Sequence, residues 1–289
     1  MIAATPALAA VPCPVCGLPT RRWFKHPDAE IQRCSNCRHI FSRLDSIRAF
    51  EAYDAAYYEA THRNWFLHPN TNLFQWLERA VPGHATSLID VGCGNGDFLR
   101  FLGQRRTSLR LVGLDLSTPG PAEPFERLEG DVLTTRFEEQ FDVVTSLAVI
   151  EHVADVAQFV GRLHDLCRPG GTVAVMTLNA SGLLYAAAGL GRRVGIRIAS
   201  DRLYSRHHLH HFTKASLASL LRSVDLEIVQ THHHNAPLAA MDLPVSGRAA
   251  RQVLLGGVAA CFGVGRLVRR GYLQTVVCRR PDQRAAAAT

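Results

Sequence analysis

The run Leu88-Ile89-Asp90-Val91-Gly92-Cys93-Gly94-Asn95-Gly96-Asp97-Phe98-Leu99 constrains the fold of this chain more than any other stretch. Apolar, β-compatible residues meet an acid, glycine then takes every second position, and an apolar helix start follows. Strand, tight turn and helix in that order belong to a parallel α/β sheet, which binds ligands outside the carboxyl ends of its strands. Glycine lets the backbone turn sharply and approach a ligand without a Cβ in the way. The spacing is not the G-x-G-x-x-G of a dinucleotide loop. A carboxylate at Asp90 would repel a pyrophosphate and suits a ligand with positive charge.

The segments that follow alternate. Arg110–Asp115 reads as a second short strand ending in an acid, 19 residues after Gly96, and a third strand ends at Gly130-Asp131. Phe141–Leu147 is a further strand, leading into Ala148-Val149-Ile150-Glu151-His152-Val153. A helix spans about 155–168, Pro169-Gly170-Gly171 breaks it, and Thr172–Thr177 is again a strand. Alternation of this kind predicts an α/β fold with a Rossmann-like, doubly wound sheet. Residues 71–81 read as an amphipathic helix, and Thr213 caps another through about Val224. Leu226–His232 and Leu273–Cys278 are expected to close the sheet as an antiparallel pair. Pro119, Pro121 and Pro124 occupy the stretch where a helix would link the second and third strands. Proline costs about 3 kcal/mol inside a helix, so a loop is expected there.

Taken in order across residues 86–178, these pieces resemble the class I S-adenosylmethionine (SAM)-dependent methyltransferases, with Asp90, Gly92, Gly94 and Gly96 matching their first motif. The "EHV" and "RPGG" segments resemble the same family. The resemblance implies a seven-stranded sheet, a methionine pocket shaped by Asp90, Gly92, Cys93, Gly94, Asn95 and Gly96, and a ribose held by Asp115 beside Leu116. It further implies adenine contacts at Asp131 and Val132, with Leu147 at the cofactor edge. Another Rossmann-like domain is the alternative, and the acid before the first glycine argues against it.

Cys13-Pro14-Val15-Cys16 and Cys34-Ser35-Asn36-Cys37 form C-x2-C-x17-C-x2-C, within the spacing of a four-cysteine zinc site. Two-residue spacers let both thiolates of a knuckle face one ion, and a closed tetrahedron leaves no position for substrate, so a structural zinc is expected. The other readings are an exposed redox pair or two accidental repeats. A zinc ribbon ahead of a class I methyltransferase resembles bacterial enzymes that methylate sugars, including nucleotide-linked ones, among polysaccharide, lipid and secondary-metabolite pathways. The expected organisation is a ribbon over 1–45, a connecting cap over 46–85 and a methyltransferase domain over 86–280, with insertions at 180–212 and 235–271. A disordered tail over 281–289 completes it. Tyr53, Tyr57 and Tyr58 in the connector either fold over the cofactor pocket or serve inter-domain packing.

Formal net charge is +7, and Lys25 and Lys214 are the only lysines. This favours an anionic acceptor or a surface near phosphates. The arginines are scattered, without the aromatic-interleaved cluster that nucleic-acid strands require. Met1–Val11 lacks a basic flank and runs straight into the first cysteine pair, so no signal peptide is expected. Isolated cysteines agree with a reducing, cytoplasmic setting. No run of 18 apolar residues occurs, which argues against a spanning helix. Gly182–Leu190 and Val253–Val264 are nevertheless apolar and followed or flanked by arginine. Each reads as a buried or lid helix, or as an interfacial helix in peripheral contact with the inner membrane face.

A methyl donor is already activated, so acceptor alignment and a base for a hydroxyl are what the chain must add. His152, just after the fourth strand, is one candidate. His211, in Tyr204–Thr213, is the other, since related glycan-modifying sequences place a histidine–phenylalanine pair there near the acceptor. His207, His208 and His210 form either a solvated loop or an adventitious metal site. His232, His233 and His234 alternate sides of a strand, which disfavours a shared ion. Some related enzymes bind a divalent ion on E-x-x-E-H; here the first position is Ala148, which removes a ligand. The reading is SAM-dependent methylation of a small-molecule, glycan or lipid-linked sugar acceptor. RNA-base methylation and a non-catalytic SAM-binding scaffold are the alternatives, and nothing in the sequence marks an oligomer interface.

Overall fold

The computed structural model describes residues 11–47, 63–116, 123–243, 245 and 247–282; Tyr53, Tyr57, Tyr58, most of the proline-rich stretch and residues 283–289 lie outside them. Three antiparallel strands come first, β1 (Thr20–Lys25), β2 (Glu30–Cys34) and β3 (Ile40–Ser42). A short helix α1 (Arg63–Leu67) precedes α2 (Thr71–Ala80). Asn70 starts α2 by accepting the Leu73 N–H at 3.2 Å, and the helix buries Leu73, Phe74 and Leu77. The apolar residues recur at i, i+1 and i+4, a stripe on one helix face.

Then come β4 (Ser87–Val91), α3 (Asp97–Gly103), β5 (Arg110–Asp115), β6 (Glu126–Glu129), β7 (Phe141–Leu147), α4 (Val156–Leu166) and β8 (Cys167–Leu178). Helices α5 (Leu183–Arg193) and α6 (Ile198–Leu203) lead to a two-residue strand β9 (His210–His211) and to α7 (Lys214–Arg222). The chain closes with β10 (Glu227–His234), α8 (Arg248–Leu267) and β11 (Leu273–Arg279). Thr213 begins α7 with a reciprocal cap: its hydroxyl accepts the Ser216 N–H at 3.1 Å, and its own N–H donates to the Ser216 hydroxyl at 2.9 Å.

The large sheet has seven strands in the order β10-β11-β8-β7-β4-β5-β6. Strands β6, β5, β4, β7 and β8 pair in parallel, and β11 runs antiparallel to β8 and β10. From β4 the chain moves outward to β5 and β6, then returns to β7 on the other side of β4. That reversal opens a crevice at the carboxyl ends of the strands, where doubly wound sheets bind ligands.

Near-continuous apolar strands are needed because both faces are covered. Leu88, Val143, Ala174 and Met176 join one core cluster with Leu73, Phe74 and Leu99. Their neighbours Ile89, Val144, Val173 and Val175 join another with Phe159, Leu163 and Leu217. The first three strands continue into β9 as a separate sheet of order β1-β2-β3-β9. This extra strand comes from the larger domain, beyond the ribbon expected over residues 1–45.

Two expectations change. Strand β8 begins at Cys167, not after Gly171, because Gly170 donates to the Arg280 carbonyl (2.8 Å) and Arg280 to that of Gly171 (3.0 Å), which keeps the segment extended. Arg168 anchors it by pairing with Asp142. Helix α8 is not buried all round: Val258, Phe262 and Gly265 face inward, whereas Val253 and Leu267 are 75% and 83% exposed. Helix α5 packs against it. Among the described residues no helix is long and apolar enough to cross a membrane. Finally, residues 123–125 are not helical before β6, as the prolines predict for that part of the crossover.

Candidate active site

The turn after β4 is held from three directions. Gly92 and Cys93 N–H groups donate to the Leu114 carbonyl at 2.7 and 3.1 Å, locking the turn to the end of β5. The Gly94 N–H donates to Asp115 Oδ2 at 2.8 Å, and the Gly94 carbonyl accepts from Arg127 Nη1 at 2.9 Å. Gly92 has φ of 74°, and a Cβ there would lie 2.3 Å from Val149 Cγ2. Any side chain would meet both backbone strain and a clash. Gly96, with φ of 79°, is the N-cap of α3.

Against this turn a cavity of about 1560 Å³ opens along the carboxyl ends of β4, β5 and β7. Asp90, Gly92, Cys93, Gly94, Asn95, Asp115, Leu116, Asp131, Val132, Leu147 and His152 all line it, so the structure brings together nearly every residue singled out in the sequence. Gly96 does not line it; its place is the cap. Asp131 sits at the exposed rim and accepts the Leu133 N–H at 2.9 Å through Oδ1. The volume exceeds the roughly 300–1,000 Å³ of a typical single-ligand pocket, enough for a cofactor and an acceptor together.

Asp90 is buried on the floor and accepts a hydrogen bond from the Thr145 hydroxyl at 2.6 Å. Burial pushes its carboxyl up to about 7, and the charge of Asp115 adds to the shift. A cationic ligand group placed beside it would favour its ionised form. Ala148, directly after β7, has φ of 61° and lines the same cavity. A non-glycine residue in this region is strained, a feature that gathers at ligand sites.

The two histidine candidates part company. His152 lines the cavity, and its Nδ1 lies 2.7 Å from the His207 carbonyl oxygen. A carbonyl can only accept, so Nδ1 donates and the neutral ring carries its lone pair on Nε2. His211 is fully buried away from the lining. Its Nδ1 shares a 3.1 Å hydrogen bond with the Tyr185 hydroxyl, and burial pushes its pKa down to about 3. Placing it beside the acceptor on sequence grounds is therefore corrected: pairing of β9 with β3 turns it into the core.

His207, His208 and His210 gather no metal-binding group, since among the described residues the only such cluster is Cys13, Cys16, Cys34 and Cys37. His232 stacks on Trp76 (4.7 Å between centroids) and on His234 (4.9 Å), while His233 contacts Asn179. They share no centre. In the cysteine cluster all four sulfurs lie within 4.8 Å of one another, with Cys13–Cys37 at 3.5 Å and Cys16–Cys34 at 3.6 Å. A tetrahedral zinc with bonds of about 2.3 Å places its sulfurs about 3.8 Å apart, so the donor set suits that ion.

Several lining residues escaped sequence reading: Trp65 and Phe66 from α1, Glu129 at the end of β6, Met176 and Pro237. The connector tyrosines, for which the sequence leaves a pocket cover or inter-domain packing open, lie outside the described residues; among the described residues Trp65 and Phe66, just before the capped helix, supply aromatic lining. Glu129 carried the same signal as Asp115, an acid ending a strand.

Sheet order, switch-point crevice and acid-flanked glycine turn define a class I SAM-dependent methyltransferase fold. A family model described as a methyltransferase domain matches residues 61–231, and the chain belongs to that family. The ubiquinone biosynthesis O-methyltransferase of Ralstonia nicotianae is 27% identical over 193 residues, covering 60% of this chain and 79% of the relative. Its counterpart from Albidiferax ferrireducens is 28% identical over 209 residues, covering 64% and 81%. Among solved structures, a chain of the complex between the Haloferax volcanii Trm112 methyltransferase activator and a methyltransferase superposes with a TM-score of 0.56. It has 16% identity and covers 80% of this chain and 100% of that one, a likeness of fold. The protein is thus a SAM-dependent methyltransferase.

The raised Asp90 carboxyl makes stability pH-dependent. Its protonated form is favoured in the fold, so that stabilisation is complete below the ordinary value of 3.8 and is lost as pH rises through about 7. Between those limits the ligand-free protein is expected to lose up to about 1.4 kcal/mol per pH unit from this group. Urea unfolding at pH 5 and pH 7.5 checks it: Asp90→Asn should fall less over that interval than wild type.

Proposed function

We propose that the chain methylates a hydroxyl on a small-molecule acceptor with an apolar body. Asp90 and the turn Gly92, Cys93, Gly94 and Asn95 would hold the methionine end of SAM. Asp115 with Leu116 would hold the ribose, and Asp131 with Val132 the adenine edge, beside Leu147. The fit rests on a turn that a Cβ would fill and on two carboxylates facing a ligand with ammonium and sulfonium charges. When bound, SAM supplies an activated methyl group. His152 then takes the acceptor's hydroxyl proton on Nε2, and the cavity walls align the two reactants.

The observation that carries this reading is His152 in the lining with Nδ1 committed to the His207 carbonyl. Trp65, Phe66, Leu67, Met176 and Pro237 make the remaining wall largely apolar, which suits an aromatic or prenyl-like body, and the sequence relatives are named O-methyltransferases. A glycan or lipid-linked sugar acceptor is the second reading, favoured by Arg63 in the lining, which could meet a phosphate. Methyl-labelled SAM is incubated with purified protein and fractionated cell extract. Label in the organic-extractable fraction is expected; label confined to nucleotide-sugar or polymer fractions overturns the apolar acceptor. His152→Gln should lower turnover about 100-fold or more with SAM affinity retained. Asp115→Ala should weaken SAM binding at least about tenfold by calorimetry.

The four cysteines are assigned a structural zinc, because the buried cluster around them consists of little more than Cys13, Cys34, Cys37, Val15 and Cys16. The four sulfurs converge within 4.8 Å of one another, the closed donor set that a structural zinc takes. Metal analysis of purified protein should find one zinc per chain, and chelation should lower the thermal midpoint. A folded, zinc-free protein of unchanged midpoint overturns the assignment.

The outer surface of α5 and α8 is assigned to an anionic lipid surface. Val194 and Ile196, just after α5, and Val253, Val264 and Leu267, on α8, are exposed, as are Arg197, Arg248, Arg251 and Arg266, with Arg193 half-buried. No Asp or Glu occurs between Asp242 and Asp282. Apolar burial with flanking arginine favours anionic headgroups. Flotation with phosphatidylglycerol vesicles should retain the protein, phosphatidylcholine vesicles should not, and Leu267→Asp should weaken retention. Equal behaviour with both vesicles overturns this assignment.

A further inference from the structure

The ribbon and the candidate base are joined by one short segment. Strand β9 pairs with the ribbon edge β3, Phe41 opposite His210 and Ile40 opposite His211. The Ser42 N–H donates to the Leu209 carbonyl at 2.8 Å. On the opposite side, Leu209 and His210 N–H groups both donate to the Glu151 carbonyl, at 2.8 and 3.1 Å. Residues 207–211 are therefore bonded to the ribbon along one edge and to the loop carrying His152 along the other. The same segment supplies the His207 carbonyl that accepts from His152 Nδ1.

A two-residue strand has no stability of its own; β9 exists as a strand because β3 is beside it. Its base is held by side chains too. His39 Nε2 lies 3.1 Å from His210 Nδ1, and His39 Nδ1 lies 3.4 Å from the Ser216 hydroxyl at the start of α7. Both rings are buried, at 0% and 3% exposure, so this hydrogen bond forms without competition from water. Burial also drives the His210 pKa down to about 4, which keeps that ring neutral at ordinary pH. The knuckle sets the other end, since the Cys34 N–H donates to the His39 carbonyl at 2.9 Å.

We infer that residues His207–His211 form a strut through which the ribbon positions His152, with His39 as the positioning residue at its base. The inference rests on the reading of His152 as the base. The strut holds the carbonyl that commits Nδ1 as donor, and thereby keeps the lone pair on Nε2, the nitrogen that must meet the acceptor. Without the β3 edge the carbonyl is no longer fixed in place, and the imidazole samples both tautomers. The ribbon is then part of the acceptor site, although none of its described residues lines the cavity.

Imidazole nitrogen NMR tests this without any acceptor. Full-length protein labelled with ¹⁵N-histidine is saturated with S-adenosylhomocysteine, and His152 is assigned by the signal missing in His152→Gln. Wild type should show His152 as a single Nδ1-protonated tautomer. His39→Phe, which keeps an aromatic ring and removes the hydrogen bond to His210, should lose that single-tautomer signature while still binding S-adenosylhomocysteine. His39→Gln, whose amide can replace the bond, should restore it. A tautomer mixture at His152 in wild type, or an unaltered signature in His39→Phe, overturns the strut. Failure of wild type to bind S-adenosylhomocysteine would instead strike the cofactor reading, so the two failures are distinct.

Discussion

Everything at the site depends on how the chain leaves β4. Gly92 adopts a left-handed backbone there, and its N–H and that of Cys93 close onto the Leu114 carbonyl of the neighbouring strand. The pairing of β4 with β5 on one side and β7 on the other fixes that edge as the switch point. With the turn set, Asp90 below it and Asp115 beside it have only one place to be. A ligand with positive charge then finds two carboxylates and a row of small residues instead of a wall of side chains.

The polar groups around this edge fall into two kinds. Asp90 is kept partly protonated by burial, and it is poised to change its charge when a cation arrives. Asp115 already has work, since one of its oxygens accepts the Gly94 N–H and braces the turn. Arg127 braces the same turn, tying the Gly94 carbonyl and packing over the Phe125 ring at 5.3 Å. Asp115 and Arg127 thus hold one turn through its N–H and its carbonyl. The rest of the cavity lining is different in character, with an aromatic and aliphatic wall and one histidine oriented by a main-chain carbonyl.

Much of this was legible in the sequence. The acid-x-G-x-G-x-G turn, the strand-ending acids, the cap at Thr213 and the paired cysteines are local signals, each imposed by backbone geometry or ligand chemistry within a few residues. Trp65 and Phe66 were not legible as lining, because an aromatic pair in a connector looks the same whether it covers a cavity or packs between domains. His211 was misplaced for a related reason. Its neighbourhood is set by Ile40, 171 positions away in the chain, and no local pattern announces a two-residue strand.

The amino-acid order by itself determined that a parallel sheet would present a glycine turn flanked by carboxylates, and that four thiols would fall at zinc spacing. Both follow from steric and bonding rules that act over short separations. Only the tertiary structure decided which histidine faces the cavity, which faces the core, and that the ribbon's edge strand reaches the loop carrying His152. Those outcomes come from hydrogen bonds between strands and loops distant in sequence, whose partners are chosen by how the whole sheet and its covering helices pack.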